Sequence, residues 1–517
     1  MLQRALTTVA LCTALAWLAP AAHALNDHGP GAVAWLSAQA DADIDAAFAQ
    51  AREQRKPVLL YWGAVWCPPC NQLKATLFNR QDFVERSKAV VPVYLDGDAP
   101  GAQKLASRFK VRGYPTMILL NPAGQELTRL PGEIDAPQVL AALQRGLAGG
   151  RPVAQVLADA RAGKALQGSE WQALAFYGWD TDEDQLVPAA ERAGLLATLA
   201  ARCPPSQAAA ADRLLLKALA ASQEGQGLKA DAAVRRRVEA LLSQPARARA
   251  LMDVLVNNPT ELASALVPDA GRERVALLGR YDAALQGLQA DAGLSRADRL
   301  TALIARIELA RLGQPKDALQ PRLPAALVRQ MGEQAARADR EVQDGNERQS
   351  VITTAAYGLG RAGLWTDSDA LLKTNLARSH SPYYLMSQLG GNARRQGRTQ
   401  EALDWYGQAF ARAQGGATRL QWGAGYVGAL VELAPTDEAR IEAAASAVLR
   451  EAAGQPAAFH ERSARSLQRV ASQLQRWNAD GQHGAVLARL RSQLAPVCAA
   501  LPAADTQRGT CERLLAA

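Results

Sequence analysis

Two cysteines separated by two prolines, Cys67 and Cys70 in WCPPC, are the residues of this sequence whose type and spacing best support chemistry. They follow an apolar run and precede a segment of helical character. A cysteine just before a helix lies where free N–H groups and the helix dipole stabilise a thiolate, and a second cysteine one turn later can attack the first. Pro68 and Pro69 stiffen the loop and lack N–H donors. The spacing therefore indicates a thiol pair that cycles between dithiol and disulfide.

Three other uses of such a pair agree less well with the rest of the sequence. A zinc site needs four ligands, but there is no second Cys-x-x-Cys, and the five histidines are scattered. Covalent haem attachment needs a histidine directly after the second cysteine, where Asn71 stands. A purely structural disulfide in so small a ring would constrain little of the unfolded chain. We therefore expect redox exchange, with no metal and no dissociable cofactor.

The composition limits the other classes of function. A chain of 517 residues exceeds what one hydrophobic core usually supports, so two or more domains are expected. With 49% hydrophobic and 21% charged residues, the protein has the composition of a soluble globular protein. The net charge of +8 is not gathered into basic blocks or interleaved with aromatics, so we expect no nucleic-acid partner.

The first 24 residues are typical of a secretory signal peptide. Arg4 supplies the positive start, the run from Leu6 to Ala19 is mostly apolar, and Ala22-His23-Ala24 fits a cleavage site. A short retained membrane anchor is the alternative. No later stretch approaches the ~20 apolar residues of a transmembrane helix. We expect an exported, for example periplasmic, soluble protein with no membrane span once the signal is removed.

Between residues 33 and 150 the pattern alternates between helix and strand. Apolar residues at helical spacing predict one or two helices over 33–55. Strands are then predicted at 56–63, 89–96, 116–121 and 126–132, and helices at 70–78, 101–111 and 135–147. The order β-α-β-α-β-β-α predicts a small mixed sheet with helices on both faces, an α/β domain over residues 25–150.

Residues 151–517 carry no further strand signal and are expected to be all-helical. Gly363 precedes Gly397 by 34 residues, and small Ser368 stands where Ala402 follows Gly397. The Gly-to-Ala step recurs in "GQPKDA" (313–318). This pattern resembles degenerate tetratricopeptide repeats over roughly residues 300–450. An irregular helical array is the alternative, and both predict an α-solenoid or helical layer.

Taken together, WCPPC after an apolar strand and GYPT at 113–116 resemble the thioredoxin superfamily. The likeness is closer to exported thioredoxin-like domains, such as the C-terminal domain of the inner-membrane disulfide interchange reductase. It covers roughly residues 40–148. The resemblance implies that Cys67 is the nucleophile, Cys70 the resolving thiol and Pro115 a cis-proline facing the disulfide. It also implies that Trp66 shapes the site, and that the Tyr114 backbone pairs with an extended substrate.

Two positions depart from the family pattern. Many members bury an acid six residues before the first cysteine, where this chain has Tyr61. The lysine often paired with that acid, on the next strand, is replaced by Pro92. The group that handles the proton of the resolving thiol is therefore not identified. Cys498 and Cys511 frame a Pro- and Ala-rich segment and are candidates for a structural disulfide in an oxidising compartment. Cys203 is either a buried thiol or the partner of one of them.

The leading hypothesis is an exported thiol-disulfide oxidoreductase whose partners are protein thiol or disulfide substrates and a redox partner, with a helical region that docks a partner protein. The rival is a helical-repeat scaffold with a vestigial thioredoxin module, and a disulfide isomerase is a third alternative. The direction of electron flow depends on reduction potentials that a sequence does not contain. The leading hypothesis requires a cysteine pair that another chain can reach.

Overall fold

The computed structural model describes residues 32–130, 135–182, 185–222 and 227–515. The predicted signal peptide, residues 1–24, lies outside this part, as do the first residues of the predicted α/β domain and the end of its last predicted strand. Two parts follow each other along the chain. The first is built on a sheet, and the second is helical.

A five-stranded mixed sheet organises the first part, in the order β1-β3-β2-β4-β5. The pairs β1–β3 and β2–β3 are parallel, whereas β2–β4 and β4–β5 are antiparallel. Every residue of β2 and β4 is buried, as expected for central strands covered on both faces. The strands are β1 Leu36–Ser37, β2 Val58–Gly63, β3 Val91–Asp96, β4 Thr116–Leu120 and β5 Glu126–Leu130.

Helices cover both faces of this sheet. Ile44 and Phe48 of α1 and Leu105 of α4 pack on one face, and α2, α3 and α5 cover the other. Asp135 caps α5 by accepting a hydrogen bond from the Gln138 amide. The helices are α1 Asp41–Gln54, α2 Pro68–Leu73, α3 Gln81–Ser87, α4 Ala102–Phe109 and α5 Ala136–Leu147. The predicted α/β architecture is therefore confirmed.

One local prediction was wrong. Residues 33–37 are not helical, because Leu36 and Ser37 form an edge strand that pairs with Val93 and Tyr94. The helix predicted over 70–78 is present, and its second half, Lys74–Phe78, is π-helical. The helix α3, which follows it, was not predicted.

The second part is helical, and no strand follows Leu130 within the described ranges. Its helices bury apolar residues in three successive clusters along the chain. They are α6 Val153–Arg161, α7 Gly168–Phe176, α8 Ala189–Arg202, α9 Ala208–Ala221, α10 Ala232–Leu242, α11 Pro245–Ala250, α12 Met252–Asn257, α13 Pro259–Leu266, α14 Arg272–Ala290, α15 Arg296–Arg311, α16 Ala325–Glu341, α17 Gly345–Arg361, α18 Trp365–Asn375, α19 Pro382–Arg395, α20 Thr399–Arg412, α21 Gly416–Leu433, α22 Glu438–Ala453, α23 Glu461–Trp477, α24 Gly484–Ala500 and α25 Thr506–Leu514. A 3₁₀ turn at Pro205–Gln207 precedes α9.

The glycines noted in the repeat pattern lie in turns between helices. Gly363 and Gly397 adopt φ of 81° and 70°, in the left-handed region, between α17 and α18 and between α19 and α20. Ser368 and Ala402, the small residues that follow them, are both buried. The third instance differs, because Ala318 lies in the loop between α15 and α16. No described helix is both long enough and apolar enough to cross a bilayer.

Candidate active site at Cys67 and Cys70

The cysteine pair lies where β2 leads into α2. Cys67 is the N-cap residue of α2, and Pro68 and Pro69 occupy its first turn, where a missing N–H costs nothing. Cys67 and Cys70 form a disulfide with their Cα atoms 5.2 Å apart. The Cys67 sulfur also accepts a hydrogen bond from the Cys70 amide at 3.3 Å. The sulfur of Cys67 thus lies at the positive end of a helix.

Asn71 holds the loop that carries the first cysteine. Its side chain is fully buried and donates to the carbonyl oxygens of Val65, at 2.7 Å, and of Cys67, at 2.9 Å. Both acceptors are backbone groups of the segment that leads from β2 into α2. Asn71 therefore fixes the backbone just before α2, a role that its sequence position alone did not indicate.

Trp66, Tyr114 and Pro115 meet beside the disulfide. The rings of Trp66 and Tyr114 pack against the small cluster that contains Cys67 and Cys70. The Tyr114–Pro115 peptide bond is cis, and the carbonyl oxygen of Tyr114 lies 3.6 Å from the Cys67 sulfur. The structure thus brings together five of the residues singled out from the sequence.

The pair is not open to solvent. Cys67 is 2% exposed and Cys70 is fully buried. The expectation of a pair that another chain can reach does not hold for this arrangement. The helical region covers the site, a relationship that no local sequence pattern indicates.

The covering surface is aromatic and cationic. The Trp66 ring stacks on Tyr384 of α19 at 5.9 Å between centroids, and Trp422 of α21 lies 5.4 Å from it. The guanidinium carbon of Arg462, at the start of α23, lies 5.4 Å from the centroid of the Trp66 ring and 5.1 Å from that of Tyr114. A cation over aromatic faces is an attractive contact. Arg462 thus covers both rings that flank the disulfide.

The residue opposite Tyr61 is Tyr94. The parallel register of β2 and β3 pairs Tyr61 with Tyr94 and places Pro92 opposite Leu59. The assignment of the lysine position to Pro92 was therefore wrong. The Tyr61 hydroxyl is buried, and burial raises its pKa far above that of a free tyrosine. It has no hydrogen-bond partner among the described residues.

Two titratable groups lie near the ends of these strands. Asp96, the last residue of β3, pairs with Gly63. Burial raises the pKa of its carboxyl, and the nearby Asp98 carboxylate raises it further. Lys74, one turn after Cys70, has its pKa lowered by burial. No three His, Cys, Asp or Glu side chains of the described ranges come together in a way that could hold a metal ion.

A cavity of about 450 Å³ lies on the other side of the cysteine loop, between α2 and the helical region. Pro68, Pro69 and Gln72 line one wall. The opposite wall includes Ser295 and Asp298, both of which Gln72 contacts through its side-chain amide. The two prolines therefore face a partly polar space within the molecule.

The remaining cysteines lie in the helical region. Cys498 of α24 and Cys511 of α25 form a disulfide, and both are buried. Cys203 is a buried free thiol, and burial raises its pKa. Its sulfur lies 3.7 Å from the carbonyl oxygen of Gln207, in a different apolar cluster from the disulfide.

Comparison with known proteins supports the same assignment for the first part. Residues 44–147 match the family model described as a thioredoxin-like domain. Over 121 residues the chain is 33% identical to the thiol:disulfide interchange protein DsbD of Pseudomonas fluorescens, covering 23% of this chain and 20% of that protein. It is 32% identical over 130 residues to DsbD 1 of Pseudomonas aeruginosa, covering 24% and 22%.

A thioredoxin of Thermus thermophilus of known structure is 30% identical, with 20% of this chain and 81% of that chain covered and a TM-score of 0.19. The chain spans only about a fifth of the length of the two DsbD relatives. The predicted resemblance to the thioredoxin superfamily is confirmed for residues 44–147.

Proposed function

We propose that this protein, whose residues 44–147 are a thioredoxin-like domain, is an exported thiol-disulfide oxidoreductase that exchanges disulfides with protein substrates. The observation that carries the proposal is the Cys67–Cys70 disulfide at the N-terminus of α2. A vicinal pair at this position supplies both the attacking and the resolving sulfur. Protein thiols are its substrates and a separate redox partner restores it, without a dissociable cofactor.

The chemistry needs only the two sulfurs. In the direction of substrate reduction, the Cys67 thiolate attacks a substrate disulfide, forms a mixed disulfide and releases one substrate thiolate. Cys70 then attacks the Cys67 sulfur and releases the second thiolate, so that two electrons pass to the substrate and the Cys67–Cys70 disulfide forms. The reverse sequence oxidises a substrate dithiol. The end of α2 and the Cys70 amide stabilise the Cys67 thiolate in both directions.

The neighbouring residues have separate roles in this proposal. Trp66 shapes the surface beside Cys67, and Pro68 and Pro69 hold the loop. Tyr114 and Pro115 offer the backbone along which an extended substrate segment aligns. The contact of the Tyr114 carbonyl with the Cys67 sulfur supports this placement.

The division of the chain is part of the proposal. Residues 1–24 act as a signal peptide, residues 25–150 carry the chemistry, and residues 151–517 form a helical, tetratricopeptide-like region that selects or docks a partner. The helix hairpins joined at Gly363 and Gly397 support the repeat character of that region. Export to the periplasm or an equivalent compartment agrees with a second disulfide, Cys498–Cys511, in the helical region.

One observation favours a second candidate function. Because Cys67 and Cys70 are buried beneath the helical region, the chain could act as a scaffold whose thioredoxin-like domain is a docking module without chemistry. A scaffold holds its partners without a covalent bond, whereas an oxidoreductase passes through a mixed disulfide. A disulfide isomerase ranks below both, since nothing in the site distinguishes it from the first proposal.

Reduction of insulin by a thiol donor tests the proposed activity. We expect the wild-type chain to accelerate the reaction and Cys67→Ser to abolish the acceleration, because the serine hydroxyl does not form a mixed disulfide. Equal activity of the two proteins, or none in either, would remove the catalytic claim. Circular dichroism of Cys67→Ser checks that the fold is retained.

A further inference from the structure

Asp98 is an acceptor shared by the two parts of the chain. It lies in the loop after β3, and its carboxylate accepts hydrogen bonds from the Trp66 indole at 3.3 Å and from Arg462 at 2.7 Å. It also accepts from the amide of Thr418 at 2.8 Å and from its hydroxyl at 2.7 Å. One of these donors flanks Cys67, and the others belong to α21 and α23.

Asp98 and Gln103 also cap the N-termini of two helices that cover the site. α21 begins after Gly415 and has no side-chain cap of its own, so Asp98 accepts the Thr418 amide that a capping residue would take. A Cβ atom at Gly415 would lie 2.4 Å from the Asp98 carboxyl carbon, so only glycine permits this approach. Gln103 of α4 does the same for α23 by accepting from the Arg462 amide at 3.0 Å.

The Asp98 cap places negative charge at the positive end of α21. A carboxylate at a helix N-terminus is stabilised by the helix dipole, and charge-assisted hydrogen bonds are stronger than neutral ones. The Asp98 and Arg462 side chains are only 12% and 10% exposed, so water screens their attraction weakly. Asp98 therefore joins two of the covering helices to the rim of the site through three hydrogen bonds, one of which belongs to an ion pair.

Separation of the helical region from the site would leave the large apolar clusters of both parts of the chain intact. The large apolar clusters of the described residues belong either to the sheet domain or to the helical region. Only a small cluster spans the two, where Trp66 packs against Tyr383, Met386 and Trp422. Nε and Nη1 of Arg462 are buried without a partner among the described residues, which makes the closed contact less favourable.

We propose that the helical region covers the Cys67–Cys70 pair through α17 to α23 and that Asp98 holds this cover closed, so that a protein substrate reaches Cys67 only after Thr418 and Arg462 release Asp98. The proposal rests on the thiol-disulfide exchange proposed above and concerns access to the same site. In the closed state the faces of Trp66 and Tyr114 are occupied by the chain's own helices. Opening is then a step that precedes exchange with a substrate protein.

The rate at which Cys67 is alkylated measures opening without any exchange reaction. In a full-length Cys70→Ser background Cys67 is a free thiol, and a polymer-linked maleimide labels it only when the cover is open. Peptide mapping distinguishes Cys67 from the buried Cys203. The labelling rate follows the population of the open state when closing is fast. The variants compared are Asp98→Ala, Thr418→Val and the control Glu442→Ala, which removes an ion pair between α22 and Arg489 of α24 and no contact with the sheet domain.

We expect Asp98→Ala to raise the labelling rate by about tenfold or more, because it removes the four hydrogen bonds that the carboxylate accepts from Trp66, Thr418 and Arg462. Thr418→Val should raise the rate by a smaller factor, because it removes only the two hydrogen bonds of the hydroxyl, one donated to Asp98 and one accepted from Arg462. Glu442→Ala should label like the parent. Equal labelling rates of Cys67 in the parent, Asp98→Ala and Thr418→Val would overturn the proposal that Asp98 holds a cover closed. If Asp98→Ala does not fold, Thr418→Val decides alone, since it leaves the sheet domain unchanged. If Asp98→Ala speeds labelling but the chain with both cysteines does not reduce insulin, the result supports the cover and counts against the oxidoreductase proposal.

Discussion

Tyr61 stacks on Tyr94 across the parallel pair β2–β3, with ring centroids 5.5 Å apart and an interplanar angle of 30°. Phe78 and Trp35 complete the aromatic cluster around Tyr61. The position at which many thioredoxins bury an acid is therefore part of an apolar core in this chain. The Tyr61 hydroxyl lies against Gly63, where an added Cβ would come within 2.7 Å of it.

Tyr61→Phe should leave the rate of thiol-disulfide exchange unchanged, because a buried hydroxyl of raised pKa without a partner is a poor proton carrier. It should also raise the free energy of unfolding by up to about 2 kcal/mol, since an unsatisfied polar group is removed. Tyr281→Phe is the control. Its buried hydroxyl donates to the Leu255 carbonyl at 2.7 Å, so its loss should lower stability by about 1 kcal/mol. A slower exchange in Tyr61→Phe would assign the hydroxyl a role in proton handling.

Asp96→Asn should change how stability depends on pH. Burial raises the pKa of Asp96 in the folded state above that of a free aspartate side chain. The folded protein then binds the proton more tightly than the unfolded chain, so this group's contribution to stability falls as pH rises from the unfolded to the folded pKa. Asparagine carries no such proton and still accepts the Asp98 amide. The melting temperature of the variant relative to wild type should therefore be higher at pH 8 than at pH 4. A difference that grows as the pH falls would contradict the raised pKa.

Removal of the second disulfide should destabilise the end of the helical region. Cys498 and Cys511 are 13 residues apart in sequence, and a loop of this size stabilises a protein by about 3 kcal/mol when it is closed. We expect a double substitution to alanine to lower the urea midpoint, while insulin reduction remains unchanged. Cys203→Ala, which removes a buried thiol outside any disulfide, is the control. An unchanged urea midpoint in the double variant would show that the bridge does not stabilise the fold.

The turn glycines of the helix hairpins should tolerate alanine poorly. Gly397 adopts φ of 70° with open space around it, so the cost of Gly397→Ala is the left-handed backbone alone, roughly 1–2 kcal/mol. Gly425 lies inside α21, also in open space, and Gly425→Ala should stabilise by up to about 1 kcal/mol because alanine favours helix. Denaturant titration measures the free energy of unfolding, which should fall in Gly397→Ala and rise in Gly425→Ala. A change in the same direction in both variants would contradict the assignment of Gly397 to a left-handed turn.

Local patterns predicted much of the sheet domain. The strands from Val58 to Leu130 and the Asp135 cap followed from apolar runs, turn residues and capping chemistry, which act within a few residues. The segment around Leu36 was predicted incorrectly, because its apolar spacing also suits a helix and only the edge of β3 selects the strand. The register that places Tyr94 opposite Tyr61 likewise depends on how two strands align.

The residues of the site also fall into a group that the sequence indicates and a group that it does not. Cys67, Cys70 and Trp66 are recognisable because they are neighbours in the sequence, and Pro115 because it belongs to the GYPT motif that resembles thioredoxins. Arg462 and Thr418 lie more than 300 residues away from Asp98, and nothing around them in sequence marks them as part of a redox site. The cover, and with it the burial of the pair, is a long-range feature that one sequence does not reveal.

Trapping on Cys67 tests the central claim most directly. A full-length Cys70→Ser protein lacks the resolving sulfur, so an exchanging enzyme accumulates mixed disulfides between Cys67 and its substrates. The matched control carries both Cys67→Ser and Cys70→Ser and keeps the other cysteines. We expect adducts in the first protein that disappear with dithiothreitol and are absent from the second. Capture of the same partners by both proteins, with no thiol-sensitive bond in either, would contradict thiol-disulfide exchange and favour the scaffold.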